Sequence, residues 1–265
     1  VKAIIYKVAT AVLDMKRLLF ALILFLLFVD VVAAQVCFSG PQGIAKDLSG
    51  NIYISDTLGN RILKRDSAGT VSVFAGSGTA GFNPGTSGSA VGVTATFNQP
   101  HKIAVNPAGT YLYVADTNNH AIRKIDLTSE AVTTVAGNGV SGAANGALGA
   151  AKFNSPKGVF VTTLGEIVVS DTGNNKIRLI NEVGSGIVSD FAGGGTGGVS
   201  CTSVNPGACP SNVPCNSMPL SLPEDVIIST TPLGSTHYYE TLIADTGNHG
   251  VWALRYEGSN TPGIA

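Results

Sequence analysis

The chain has 265 residues, 12% charged and 44% hydrophobic, with 33 glycines and a formal net charge of −1. Near-neutral charge excludes the broad basic footprint that nucleic-acid backbones require. Glycine at this level among many Val, Ile and Thr suits short strands joined by turns, while length alone admits one large all-β domain or two small ones.

Residues 1–14 precede Met15 and read as upstream translated sequence, outside the fold. Met15-Lys16-Arg17 then leads into an apolar run from Leu18 to Val29, and Val32-Ala33-Ala34 follows Asp30. A basic start, a short apolar run and small residues form the order of a secretory signal peptide. That order predicts a signal over 15–34 and a mature chain beginning at Gln35. The run is 12 residues long, short of the roughly 20 that a spanning helix needs; a retained membrane anchor is the alternative. Behind such a signal, the four cysteines Cys37, Cys201, Cys209 and Cys215 favour disulfides, with three connectivities open. The spacings of 8 and 6 among the last three are not the C-x-x-C pairs of a zinc knuckle.

From residue 35 onward a repeat governs the chain, and a repeat outranks every other cue to the fold. NIYISDTLGNRILK, TYLYVADTNNHAIRK, GEIVVSDTGNNKIRL and ETLIADTGNHGVWAL align on Asp56, Asp116, Asp171 and Asp245. A proline lies upstream of each: Pro41, Pro100, Pro156 and Pro223. Three copies close on Ala-Gly, at Gly76, Gly137 and Gly193. This frame predicts blades over about 41–76, 100–137, 156–193 and 223–265, each of four short strands. The first strand opens just after the proline, as in Lys102-Ile103-Ala104-Val105. The second runs into the aspartate with apolar residues on both faces, as in Leu112-Tyr113-Val114 and Ile167-Val168-Val169. A third (Ile62–Lys64, Ile122–Lys124, Ile177–Leu179) and a fourth (Val71–Ala75, Val132–Ala136, Ile187–Ala192) follow. Strands apolar on both faces are covered on both sides, which an antiparallel sheet achieves when blades stack face to face. The last blade is expected to be incomplete, because Asn260–Ala265 puts Pro262 where a ladder N–H is needed.

Asp116-Thr117-Asn118-Asn119-His120-Ala121-Ile122 and Asp245-Thr246-Gly247-Asn248-His249-Gly250-Val251 resemble the signature of NHL repeats, as do FNQPHKIAV and FNSPKGVFV. The first copy departs with Gly59-Asn60 and the third with Asn174-Asn175. The resemblance covers roughly Gly40 to Gly258 and implies an all-β, NHL-type β-propeller. Such propellers usually close with about six blades, so four read as a fragment of a larger ring.

A catalytic group is needed once and a turn in every blade, so Asp56, Asp116, Asp171 and Asp245 are expected to serve the repeat turns, and the repeat histidines are expected to be structural. Residues that vary on a fixed scaffold are where specificity is expected. Gln42, His101, Lys157 and Glu224 follow the four prolines, with Gly43, Lys102, Gly158 and Asp225 next. Gln42, His101, Lys157, Glu224 and Asp225 are therefore the candidate ligand-binding residues, at one mouth of the central channel. The amidating lyases that the family includes carry a zinc-binding His at the PHKI position, which only His101 matches here. A catalytic zinc needs three protein ligands, so no metal, no other cofactor and no catalytic residue are expected. The glycine-rich connectors lack Gly-Lys-Ser/Thr, which rules out a P-loop. The expected function is a secreted scaffold that binds a protein or peptide. A metal-assisted enzyme of the amidating-lyase or lactonase type is the alternative. RNA binding, known for some NHL propellers, fits poorly with an export signal and neutral charge.

Overall fold

The computed structural model describes residues 36–83, 92–194, 200–203, 213–214, 219–229 and 238–257, with backbone alone at 200–203, 213–214, 229, 238–240 and 254–257. The predicted signal over 15–34, Cys209 and Cys215, and the side chain of Cys201 lie outside the described residues. The account below concerns the unit from Cys37 onward.

The first blade holds β1 (Pro41–Lys46), β2 (Ile52–Asp56), β3 (Arg61–Arg65) and β4 (Val71–Ala75). The second holds β5 (Pro100–Val105), β6 (Tyr111–Asp116), β7 (Ala121–Asp126) and β8 (Val132–Ala136). The two-residue β9 (Gly146–Ala147) lies in the connector to the third blade, made of β10 (Gly158–Val161), β11 (Ile167–Asp171), β12 (Lys176–Asn181) and β13 (Ile187–Ala192). The fourth holds β14 (Ser200–Ser203), β15 (Val213–Pro214), β16 (Pro223–Ser229), β17 (Tyr238–Asp245) and β18 (Gly250–Glu257). Pairing between the strands of the blades is antiparallel, and in the first two blades it follows chain order; outside them Ala80 and Phe97 form a parallel bridge. The sheets form four blades in a propeller arrangement.

The apolar second strands behave as their composition requires. Along β6, Leu112 and Val114 enter the core shared with the first blade, beside Ile62 and Phe97. The alternate residues Tyr113 and Ala115 enter the core shared with the third blade, beside Phe153 and Val159. In β11, Ile167 and Val169 face the second blade, and Val168 faces the fourth, beside Leu220 and Val226. Each core is thus a blade-to-blade interface. Burial on both faces, at about 25 cal/mol per Å² of apolar surface, is what a strand apolar throughout makes available.

The edges bring two additions that the sequence frame does not contain. β9 pairs with β13, adding a fifth strand to the third blade. In the fourth blade, the place next to β18 is filled by β14, which precedes the blade in the chain. The segment 258–265, where the frame puts the closing strand, lies outside the described residues. The segment Cys37–Ser39 attaches to the first blade. There the Leu58 amide donates to the Ser39 carbonyl at 2.9 Å, and Arg61 donates to the Cys37 carbonyl at 2.8 Å.

Candidate functional site

The NHL-like motif builds a latch, repeated in each blade. After each aspartate the chain makes one 3₁₀ turn and ends it on a left-handed residue: Asn60 (φ 51°), His120 (φ 50°), Asn175 (φ 55°) or His249 (φ 54°). Asn and His are the non-glycine residues that tolerate this region best. The aspartate does not cap that turn with its side chain. One carboxylate oxygen instead accepts a backbone N–H from the start of its own blade: Asn98 to Asp116 at 2.8 Å, Asn154 to Asp171 at 2.7 Å and Ser221 to Asp245 at 2.7 Å. The Ser39 amide does the same for Asp56.

The other oxygen is satisfied in one way in the first blade, in a second way shared by the middle two, and in a third way in the fourth. Arg61 Nε donates to Asp56 at 2.8 Å. Buried Arg123 and Arg178 reach Asp116 and Asp171 at 3.2 and 2.8 Å, joined by the amides of Asn119 and Asn174. In the fourth blade, Trp252 Nε1 and Asn248 Nδ2 both donate to Asp245, at 2.8 and 2.7 Å. Burial pushes the Asp116 carboxyl up to about 6 against the pull of its donors, and it lowers the Arg123 guanidinium. Both directions say that desolvation outweighs the pair's attraction, as is common for buried ion pairs.

The remaining motif residues reach across to the next blade. The hydroxyls of Thr57, Thr117 and Thr172 donate to the carbonyls of Pro100, Pro156 and Pro223 at 2.7, 2.8 and 2.6 Å. The left-handed residue accepts the N–H of the residue before that proline: Gln99 to Asn60 Oδ1 at 2.9 Å, Ser155 to His120 Nδ1 at 3.0 Å and Leu222 to Asn175 Oδ1 at 2.8 Å. Asp thus ties the turn to its own blade, while Thr and Asn/His hold neighbouring blades together. The threonines were legible as a repeated Asp-Thr pair; the buried arginines, read from sequence only as residues of the third strand, were not.

Immediately after the prolines the strands carry a register shift, between Pro41 and Gly43, Pro100 and Ile103, and Pro223 and Asp225. Bulges of this kind re-aim side chains, and Gln42, His101, Glu224 and Asp225 sit on them, while Lys157 directly precedes β10. Lys157 Nζ pairs with Glu224 at 2.5 Å and Lys102 Nζ with Asp225 at 3.2 Å, which links blades two, three and four. His101 lies in the field of all four of these charges. Its Nδ1 is buried and without a hydrogen-bond partner among the described residues. Burial lowers the His101 imidazole and the two lysines add to this, with Glu224 and Asp225 opposing. The hydrogen bond from Lys157 holds Glu224 below its usual range. Four of the five candidates therefore come together, with Lys102 as a fifth member of the cluster. Gln42 stands exposed on the first blade and makes no described contact with them.

Glycine permits this convergence at two inner-strand positions. A Cβ on Gly43 would stand 2.5 Å from the His101 carbonyl, and one on Gly158 would stand 3.0 Å from Asp225 Cα. Among the described residues, no group of three or more His, Cys, Asp or Glu is arranged to hold a metal ion. The cluster offers two lysine–carboxylate pairs, each about one-third exposed, beside an imidazole nitrogen. It can exchange ion pairs with a ligand that carries both signs of charge.

Comparison with known proteins places the repeat. The NHL repeat model matches residues 97–125. NHL repeat-containing protein 2 of Gallus gallus is 34% identical over 163 residues, covering 62% of this chain and 21% of that protein. The Homo sapiens protein of the same name is 40% identical over 95 residues, 36% of this chain and 12% of its own length. The chain thus spans about a fifth or less of these relatives. Among solved structures, a Bacteroides thetaiotaomicron protein of unknown function aligns with a TM-score of 0.58 at 14% identity, over 82% of this chain and 47% of that one. An auxiliary nutrient binding protein of the same organism aligns with a TM-score of 0.55 at 17% identity, over 82% and 48%; these two likenesses concern the fold alone. The motif in four blades, the matched repeat model and the similar proteins that bear the name show NHL repeats on a β-propeller fold.

Proposed function

We propose that this chain is an exported binding scaffold that takes a protein or peptide segment at the mouth formed by its inner strands. The observation that carries the reading is the cluster of His101, Lys102, Lys157, Glu224 and Asp225. Three blades contribute to it at positions where the repeat itself fixes no residue type. Groups used once on a scaffold used four times are where a ligand would be read. A peptide segment with charged side chains of both signs could exchange with the Lys157–Glu224 and Lys102–Asp225 pairs and offer a donor to His101 Nδ1. Nucleic acid is a poor fit to a mouth where cations and carboxylates balance.

Export rests on the charged, apolar and small-residue order of 15–34. Intact mass of the product released by a secretory host tests it: a chain starting near Gln35 supports export, and retention of Met15 with the apolar run points to an anchor. The cysteines are proposed to pair after export, with Cys201, Cys209 and Cys215 stapling their loop and Cys37 either pairing into it or left as the odd partner; non-reducing peptide mapping reads this.

The binding reading is tested by selecting peptides from a random library on the full chain. The selected peptides are then titrated against a Lys157→Ala/Glu224→Ala variant, which keeps net charge unchanged. A loss of tenfold or more in affinity, on the order of one exchanged charged hydrogen bond, supports the mouth as the site. Unchanged affinity places binding elsewhere. A metal-assisted enzyme has one observation in its favour, the unmatched and buried His101 Nδ1. Zinc retained at one equivalent after dialysis, and lost in His101→Ala, would move that reading ahead.

A further inference from the structure

The residues at and beneath the inner-strand bulges alternate from blade to blade. Two places after the proline stand Gly43, Lys102, Gly158 and Asp225, and one place before the repeat aspartate stand Ser55, Ala115, Ser170 and Ala244. The two sets face each other on neighbouring strands. Gly43 pairs with Ser55, Gly158 with Ser170 and Asp225 with Ala244, while Ala115 lies opposite the His101–Lys102 bulge. A glycine is therefore matched with a serine, and a charged residue with an alanine. The charged residues use the room this leaves: Lys102 of the second blade reaches Asp225 of the fourth at 3.2 Å. Between them stands Gly158, where a Cβ would come within 3.0 Å of Asp225 Cα. The two serines are fully buried, and neither belongs to the Asp-Thr-Asn/His latch.

Ser55 has a partner that its counterpart lacks. Its hydroxyl donates to the His101 carbonyl of the next blade; the Gly43 carbonyl, 3.4 Å away, is the weaker acceptor. Glycine at 43 keeps that line open, since a Cβ there would stand 2.5 Å from the His101 oxygen and 2.7 Å from Ser55 Oγ. The same stretch of backbone is held on either side of this bond. Thr57 donates to the Pro100 carbonyl at 2.7 Å, and the Lys102 N–H donates to the Lys157 carbonyl of the third blade at 3.0 Å. The His101–Lys102 peptide is thus held at its oxygen by the first blade and at its N–H by the third. A bulge interrupts the ladder of its own sheet, so the directions of the His101 and Lys102 side chains are set by what holds that peptide from outside. In the third blade the Ser170 hydroxyl occupies the same register position and is as deeply buried, yet it has no hydrogen-bond partner among the described residues.

We propose that Ser55 is a positioning residue for the mouth: through the His101 carbonyl it fixes the bulge that keeps His101 Nδ1 buried and aims Lys102 at Asp225. The first blade thereby serves the site by a buried hydroxyl, although its surface residue Gln42 makes no described contact with the cluster. Removing the hydroxyl leaves the Thr57 staple in place and frees one end of a single peptide. The bulge can then turn, which admits water to His101 and loosens the Lys102–Asp225 pair. This role is a property of the unliganded chain; only its use in recognition rests on the ligand reading given above.

The test is imidazole NMR on the full chain, comparing the wild type with Ser55→Ala and Ser170→Ala and identifying His101 by the signal missing from His101→Gln. Burial lowers the wild-type His101 imidazole. In Ser55→Ala its titration midpoint is expected to rise by about 0.5 or more toward the ordinary value of about 6.5, with His120 unmoved. Hydrogen exchange at the Lys102 amide is expected to quicken about fivefold, as the loss of one hydrogen bond of ordinary strength would give. Ser170→Ala removes an equally buried hydroxyl and is expected to change neither. A His101 midpoint unmoved by Ser55→Ala, or moved as far by Ser170→Ala, would overturn the inference. Should Ser55→Ala not fold, the wild type decides: a Ser55 hydroxyl proton in slow exchange with water supports the bond, and one exchanging as fast as an exposed serine's overturns it. Titration of a peptide selected on the chain separates the two readings. A His101 that moves in Ser55→Ala while peptide affinity stays unchanged supports the positioning role and counts against the ligand reading. A His101 that stays put while Lys157→Ala/Glu224→Ala loses affinity overturns the positioning role and keeps the ligand reading.

Discussion

The Nδ1 of His120 accepts the N–H of Ser155 at 3.0 Å, joining the second blade to the third by the same bond that Asn60 and Asn175 make with an amide oxygen. An imidazole can accept at Nδ1 only when that nitrogen carries no proton. Burial lowers the His120 imidazole below its ordinary value of about 6.5, with Asp171 opposing. A folded-state value below the unfolded one means that the contribution to stability is present above the ordinary range and is lost as pH falls through the folded value. Urea unfolding is therefore expected to show stability dropping on acidification below about pH 6.5, and His120→Asn is expected to flatten part of that drop. Asp116, raised to about 6 by burial, titrates in the same window with the opposite sign, so the difference between the two proteins isolates His120. Identical pH slopes would contradict the assignment.

The threonine staples differ in what they have to hold. Thr57, Thr117 and Thr172 each donate to a proline carbonyl of the next blade, whereas Thr246 is exposed and within reach of Glu224. Thr117→Val keeps the shape and leaves the Pro156 carbonyl without this donor, at an expected cost of about 1–3 kcal/mol. Thr246→Val is expected to stay within about 0.5 kcal/mol. Denaturant midpoints for the two variants make the comparison, and equal losses would show that the bond across the blades is not what the residue contributes.

Arg178 is fully buried and donates to Asp171, to the Lys152 and Ala144 carbonyls and to Asn145, with its guanidinium 5.2 Å from the Phe153 ring centre. Removing one partner of a buried pair strands the other. Arg178→Met is accordingly expected to cost about 3–5 kcal/mol. Asp171→Asn together with Arg178→Met is expected to cost less than the sum of the single changes, as a double-mutant cycle would measure. Strict additivity would mean that the two side chains do not act as a pair.

At Gly43 the first inner strand meets the second so closely that a methyl group would strike the His101 carbonyl at 2.5 Å and Ser55 Oγ at 2.7 Å. Gly43→Ala is expected to destabilise the fold by about 1–3 kcal/mol through overpacking against backbone. At Gly50 a Cβ meets nothing within 4 Å, but its φ of 88° makes alanine strained for a different reason. A Gly43→Ala protein that melts with the wild type would show that the inner strands can part without cost.

The strand frame was legible because prolines, glycines and aspartates punctuate it at near-constant spacing, and because runs such as Leu112-Tyr113-Val114 have no polar face to put in water. The positions of His101, Lys157, Glu224 and Asp225 followed from the same frame, since the residue after a fixed proline must fall at the same place in each blade. Lys102 joins them through a pairing two blades away, which no local pattern encodes. Arg123 and Arg178 were not legible as latch residues, because an arginine in a strand reads as solvent-facing until the buried carboxylate beside it is known. β14 was hidden for another reason: its Ser-Cys-Thr-Ser sequence sits in a cysteine-bearing connector whose partner strand, β18, lies about 50 residues further along.

The claim that the inner-strand mouth receives the ligand is tested most directly by hydrogen exchange on the full chain, with and without a peptide selected on it. Protection is expected at 100–103, 157–160 and 223–226, where His101, Lys102, Lys157, Glu224 and Asp225 open their strands, with β4, β8 and β13 unchanged. Protection confined to those outer strands, with the three inner segments exchanging as before, would contradict the account.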